Sequence, residues 1–352
     1  VHEVITALLN RRPVTRAEDW RSLWDRLGSG GLDRAEAAAL LGSLATHPPE
    51  APTLRALLDS LSRRPAASAD RCWPATVNTV GTGGGPSTFN VSTAAAFVAA
   101  AMGVRVVKTG SRAYSSRLGS VDLLERLGVR LTGSLEETAD AVDRDGIAFA
   151  GPFVYPPELT ALARAMAPVA LRPFGRFLNA VGPFLADLPV AAQVTGVSAA
   201  MPLAELRQVA QGVDDRLIWL CTNDLGADEL LGFCDNTVYS NAAGGGTPVL
   251  RLRRGELLPE RGGIEDLRPF EPDDAVRRFR EVLAGPPGAA TDTVCLNAAA
   301  AAVAAGAADD WPQALDAARE AVAEGAALAL LDRLRERSQT PGTLQASGGR
   351  HG

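Results

Sequence analysis

The chain opens with a helical rhythm. VITALLN from Val4, WRSLWDRL from Trp20, DRAEAAALLGSL from Asp33 and APTLRALLDSL from Ala51 repeat apolar groups at three- and four-residue spacing. That is the period of helices with one buried face. Asp33, just before AEAAALL, is the natural N-cap of its helix. From Thr76 the rhythm changes. TVNTV precedes a glycine-rich turn, STAAAFVAAAMG reads as a helix, VRVVKTG as a strand and SVDLLERLG as a helix. VRLTG reads as a short strand, LEETADAVDRDG as a helix before IAFAG, and RLIWLCTND as a further strand. TPVLRLRRGELLP suggests a late pair of strands, and DAVRRFREVLAG and the stretch from Trp311 to Arg337 are helical. Strands alternating with helices imply a mostly parallel sheet covered on both faces. Functional groups then belong at strand C-termini and helix N-termini.

The expected fold is therefore α/β: a small all-helical domain beside a larger α/β domain with a mostly parallel central sheet. Residues 1–72 form the helical domain, with a Pro-rich helical return near 156–195. Residues 73–155 and 196–337 form the α/β domain, and a ligand cleft is expected between the two. Residues 338–352, with the sequence SQTPGTLQASGGRHG, are expected to be a disordered tail. The Ala-rich run from Val294 to Ala308 is too short to span a bilayer and reads as a closely packed interior helix.

Composition narrows the function classes. An apolar share of 46% with 22% charged residues is that of a soluble globular protein. A formal charge of −6 gives no basic footprint, so no nucleic-acid partner is expected. Cys72, Cys221, Cys234 and Cys295 are scattered without CxxC spacing or a recognisable signal peptide. A reducing, cytoplasmic setting with no membrane partner follows as the expectation. His2, His47 and His351 lie near the ends or in a Pro-rich connection, which argues against histidine acid–base chemistry and histidine-ligated metals.

The candidate chemistry gathers around one side chain. Lys108 is the only lysine in the chain, and its compact ammonium is not reproduced by arginine's planar fork. It follows the segment GTGGGPSTFNVST, in which Gly81, Gly83, Gly84 and Gly85 permit a tight turn. A helix starting near Ser92 adds its positive end, and Thr82, Ser87, Thr88, Asn90 and Ser92 add polar groups. Neither GxGxxG nor GxxxxGK[ST] is present, which disfavours dinucleotide and nucleoside-triphosphate sites. After a later strand, Asp228 and Glu229 stand side by side in LGADEL. Adjacent carboxylates there can favour a helix start, or hold Mg²⁺ opposite a polyphosphate.

These motifs together resemble the anthranilate phosphoribosyltransferase family, of the nucleoside phosphorylase-like, class III phosphoribosyltransferase fold. GTGG, TFNVSTAAAFVAA, KxGxR with SSxxGSxDLLExLG, FLNxxGP and GxDE carry the resemblance, which spans nearly the whole chain. It implies phosphoribosyl pyrophosphate as donor, Mg²⁺ as cofactor, an aromatic amine or ring nitrogen as acceptor, and a homodimer through the N-terminal helices. Carried over by position, Gly81, Thr82, Gly83, Gly84, Thr88, Asn90, Ser92, Thr93, Lys108 and Ser116 would hold the donor, with Lys108 catalytic. Asp228 and Glu229 would hold Mg²⁺. Thr109, Ser111, Tyr155, Arg172, Arg176 and Asn179 would meet the acceptor.

The departures from the family pattern cluster on the acceptor side. GTGGGP stands for GTGGDG and is one residue shorter, and KTGSR stands for KHGNR, with Thr109 for histidine and Ser111 for asparagine. Tyr155 replaces a histidine before proline, and the arginine expected after APV is absent around Val169 and Ala170. Arg172 or Arg176 could supply that cation, while Phe153, Tyr155, Phe174 and Phe177 could form a less polar aromatic pocket. The sequence thus leads to a phosphoribosyltransferase whose acceptor could be an aromatic compound other than anthranilate. Three alternatives stand beside it: the anthranilate enzyme of tryptophan biosynthesis, a nucleoside phosphorylase-like enzyme, and a catalytically inactive relative.

Overall fold

The computed structural model describes residues 1–62, 72–110, 118–169, 171–242 and 250–339. Four helices come first: α1 (Glu3–Leu9), α2 (Ala17–Gly28), α3 (Arg34–Thr46) and α4 (Ala51–Leu61). Asp33 caps α3 as its position suggests. Its carboxylate accepts from the Glu36 amide at 2.8 Å, and Glu36 reaches back to the Asp33 amide, a reciprocal pairing that satisfies two otherwise orphaned donors. The apolar faces of these helices bury Trp20, Leu23, Leu40, Leu41 and Leu44 in one cluster.

The chain continues through β1 (Trp73–Gly81), α5 (Val91–Ala101), β2 (Arg105–Lys108), α6 (Ser120–Leu127), α7 (Leu135–Asp145) and β3 (Ile147–Phe149). Two helices, α8 (Pro157–Met166) and α9 (Gly175–Leu185), return to the first cluster, giving it Leu162, Met166, Phe177 and Val181. Then come β4 (Val190–Gly196), α10 (Leu203–Gln211), β5 (Leu217–Asn223), β6 (Asn236–Ser240) and β7 (Leu250–Leu252). The helices α11 (Ala275–Leu283), α12 (Ala289–Ala304), α13 (Trp311–Ala323) and α14 (Ala326–Gln339) follow. The seven strands form one sheet in the order β3-β2-β1-β4-β5-β6-β7. Its first five strands are parallel, and β6 and β7 close it antiparallel. The larger core lies on this sheet. There α5 is buried on every side, and α12 packs on it through alanines 298–301, which are fully buried. Small side chains let the two backbones approach closely, as expected for an interior Ala-rich helix.

Four local expectations need correcting. The helical stretch expected to about residue 195 ends at Leu185, and 190–196 is a central strand. VAAQVTG is buried along nearly its whole length, so it lacks the apolar–polar alternation that marks a half-exposed strand from sequence. VRLTG contributes only an isolated bridge between Thr132 and Ala150. The described part of TPVLRLRRGELLP supplies one strand, β7, paired with NTVYS, whose strand character the sequence pattern does not announce. Ser338 and Gln339 of the expected tail complete α14, with the Ser338 hydroxyl donating to the Leu334 carbonyl at 2.8 Å. Residues 340–352 lie outside the described residues.

Candidate active site

The chain runs from β1 to β2 on one side of the sheet, while β4 extends it on the other. The C-terminal ends of β1 and β4 therefore flank a topological switch point, where open α/β sheets place ligands. Gly81 and Gly196 end these strands in register. Asp228 lies across both: a Cβ on Gly81 would run into the Asp228 carboxylate, and one on Gly196 into its backbone carbonyl. Only glycine leaves room for that crossing. The turn then passes through Gly83 and Gly84, at φ +65° and +81°. The Gly83 amide donates to Asp228 Oδ2 at 2.6 Å, and the Thr88 hydroxyl donates to Glu229 Oε1 at 2.7 Å. Thr82 braces the turn from below, accepting from the Ser198 amide at 3.1 Å, while the Ser198 hydroxyl donates to the Gly83 carbonyl at 2.7 Å.

The acidic pair sits in an irregular loop after β5, not at a helix start. Asn223 shapes that loop. Its amide nitrogen donates to the carbonyls of Ala227 and Glu229 at 3.0 and 2.6 Å, and its oxygen accepts from the amides of Leu225 and Ala227. Asn297 of α12 fixes the next residue, exchanging hydrogen bonds with the Leu230 backbone. Burial raises the pKa of Asp228, against the Gly83 amide and the Lys108 charge. Burial and the neighbouring Asp228 drive Glu229 well above the usual carboxylate range. Glu229 Oε2 is buried with no hydrogen-bond partner. Two buried carboxyls, one with an unsatisfied oxygen, fit a divalent cation that takes few protein ligands and completes its shell with phosphate oxygens and water.

Lys108 ends β2 at the same edge. It is 4% exposed, and its ammonium donates to the Thr79 carbonyl at 2.9 Å, the Ser92 hydroxyl at 3.1 Å and the Thr109 carbonyl at 3.4 Å. Burial pushes its pKa down to about 8, with Asp228 pulling the other way. Thr109 is locked beneath by Asn78, whose side chain accepts from the Thr109 amide at 3.2 Å. Asn90 donates to the Leu118 carbonyl at 3.3 Å and leaves the first turn of α5 without a side-chain cap. The helix dipole at that turn favours an anion.

One cleft of about 700 Å³ joins these groups, within the range of about 300–1,000 Å³ of small-molecule sites. Gly81, Thr82, Gly83, Gly84, Thr88, Asn90, Ser92, Lys108, Thr109, Tyr155, Asn179, Asp228 and Glu229 all line it. The opposite wall belongs to the helical layer: Leu41 of α3, Leu159 and Leu162 of α8, Leu171, and Leu178 and Leu185 of α9. Sequence reasoning misses those leucines because nothing distinguishes a core leucine from a cleft leucine in a helical pattern. Several expected residues do not join them. Thr93 is fully buried, one helical step beyond Ser92 and turned into the core. Arg172, on a 3-10 turn at Arg172–Phe174, and Arg176, near the start of α9, are exposed and outside the lining. Of the four aromatic candidates only Tyr155 lines the cleft; Phe177 is in the helical core, Phe174 packs on it, and Phe153 faces elsewhere. Ser111 and Ser116 lie outside the described residues.

Comparison with known proteins gives this arrangement a family. Residues 74–328 match the glycosyl transferase family, a/b domain. The anthranilate phosphoribosyltransferase of Syntrophobacter fumaroxidans is 34% identical over 335 residues, covering 95% of this chain and 98% of that one. The crystal structure of the anthranilate phosphoribosyltransferase of Thermus thermophilus superposes with a TM-score of 0.75 at 27% identity, covering 96% and 99% of the two chains. That of Saccharomyces cerevisiae, in complex with phosphoribosyl pyrophosphate and Mg, superposes at 0.71 with 19% identity, covering 95% and 96%. Agreement in sequence over nearly full length, and in fold with the same lengths of chain, leaves one assignment: the chain belongs to the anthranilate phosphoribosyltransferase family of glycosyltransferases.

Proposed function

We propose that the protein transfers the 5-phosphoribosyl group from phosphoribosyl pyrophosphate to the amine of anthranilate, releasing pyrophosphate, with Mg²⁺ as cofactor. The observation that carries this reading is the meeting of Lys108, the Gly83–Gly84 turn and the Asp228–Glu229 pair on one edge of a cleft whose other wall is apolar. The C1′–oxygen bond breaks with its electron pair leaving on pyrophosphate, and the amine nitrogen's lone pair forms the new bond to C1′. The Lys108 ammonium and the first turn of α5 offset the charge gathering on the leaving group. Mg²⁺, held by Asp228 and Glu229, would supply further neutralisation of that charge. The arylamine attacks as a neutral free nucleophile at neutral pH; once bonded to C1′ its cationic nitrogen is strongly acidic and passes its proton to the departing pyrophosphate, so no strong protein base is needed. The leucine wall excludes water and positions the ring, and positioning of this kind accounts for much of such a rate enhancement. The proposal includes assembly as a homodimer through the N-terminal helices, tested by light scattering of the purified protein.

The test is product formation from phosphoribosyl pyrophosphate, anthranilate and Mg²⁺, followed by loss of anthranilate fluorescence. Turnover that vanishes with chelation supports the reading, and donor binding without any anthranilate conversion defeats its acceptor half. One observation favours a second reading, an aromatic amine that lacks a carboxylate. Among the described lining residues the sole cation is Lys108, which belongs to the donor edge. A carboxylate left without a charge-assisted partner would cost a few kcal/mol. Faster turnover of aniline-type acceptors than of anthranilate would select this alternative.

A further inference from the structure

A second cavity of about 200 Å³ lies beside the cleft, and the two share Tyr155 and Leu185 among their lining residues. Its walls are mixed: Leu58 and Leu61 of α4, Phe153, Val154, Phe184 of α9 and Val209 of α10 line it, and so do the charged Arg55, Asp59, Asp187, Asp214, Asp215 and Arg216. A cavity of about 150 Å³ is enough to hold a benzene ring, so by volume the space beyond the partition takes one more ring, lying on its Leu58, Phe184 and Val209 walls. The partition is firmly seated. Tyr155 is half-buried and packs on both the helical core and the small cluster around Val107, Val154 and Leu188, and Leu185 is buried in the former. We infer that Tyr155, backed by Leu185, is the specificity-determining wall of the acceptor site, closing the cleft against the second cavity and restricting transfer to single-ring amines. The inference rests on the arylamine transfer proposed above. Tyr155 makes and breaks no bond in it; its phenol ring sets how long an acceptor can be.

The experiment compares anthranilate with its two-ring homologue 3-aminonaphthalene-2-carboxylate. Each is titrated calorimetrically into wild type, Tyr155→Phe, Tyr155→Ala and Leu185→Ala, and turned over with donor and Mg²⁺ to give kcat/KM. Wild type and Tyr155→Phe should disfavour the two-ring amine by about tenfold or more, and Tyr155→Ala or Leu185→Ala should narrow that gap by about tenfold. Cooperative unfolding identifies the variants that are folded, and Leu185→Ala carries the test if Tyr155→Ala is not. Folded alanine variants that keep the wild-type ratio overturn the inference, as does a wild type that takes both amines equally. If wild type converts neither amine yet Tyr155→Ala binds the naphthyl compound more tightly than wild type does, the wall stands and the transfer reading falls.

Discussion

Lys108 shows what one residue costs and supplies. Its pKa falls from 10.5 to about 8 because burial outweighs the nearby Asp228. At about 1.4 kcal/mol per unit, holding the ammonium in the unliganded fold costs about 3 kcal/mol near neutral pH. The sign follows from proton binding. Between about 8 and 10.5 the unfolded chain holds more protons at this site than the folded one, so the penalty is complete below 8 and is relieved as pH rises. Lys108→Met, which keeps the length and removes the charge, should therefore unfold at higher denaturant concentration than wild type at about pH 7. Its advantage should shrink at about pH 9.5, and its turnover should drop by about 10²–10³-fold. Equal midpoints at both pH values would show that the lysine is not strained. Near-normal turnover would remove it from the donor site.

Elements differ in how openly they declare themselves. The N-terminal helices and Asp33's cap were legible because amphipathic period and capping chemistry are local properties of the chain. β4 was not, since a strand buried on both faces carries no alternation, and neither was β6, whose antiparallel pairing depends on distant partners. The glycine-turn edge of the cleft was legible as a turn but not in its packing: GTGG advertises the turn, yet the reason for Gly196 is the Asp228 backbone, which reaches it from beyond the next strand. Asn223 and Ser198, which hold the loops in place, look like ordinary polar residues until their bonds are seen. Glycines accordingly divide into two kinds. Gly196→Ala forces a Cβ into the Asp228 backbone, so a loss of about 1–3 kcal/mol in stability and a fall in Mg²⁺-dependent turnover are expected. Gly42 lies inside α3, and a methyl group there would meet no atom beyond its own helix's backbone within 4 Å. Gly42→Ala should gain about 0.5–1 kcal/mol with turnover unchanged. Paired thermal melts and activity assays check both, and a destabilised Gly42→Ala would point to an unseen contact on that helix.

At the scale of the whole molecule, the cleft is a seam between two cores. The sheet layer brings Lys108, the glycine turn and the carboxylates; the helical layer brings the leucine wall and Tyr155. Thr88 and Glu229 are 141 residues apart in sequence and Gly83 and Asp228 145 apart, so the charged edge exists only in the completed fold. That edge is held in tension. Asp228 and Glu229 have pKa values raised from 3.8 and 4.5, so the folded protein retains protons there that the unfolded chain has already lost. Their stability deficit is complete above the raised values and is relieved as pH falls toward the ordinary ones. A cation that binds the ionised pair must displace those protons. Mg²⁺ binding should therefore strengthen as pH rises above the ordinary carboxylate range and should release protons as it does so, while stabilising the fold by about 2.7 kcal/mol at a hundredfold excess over its Kd. Calorimetric titration in buffers of different ionisation heat reads the release directly. Glu229→Gln should abolish most of it, and heats independent of buffer would mean that the pair is already ionised and that another group balances its charge.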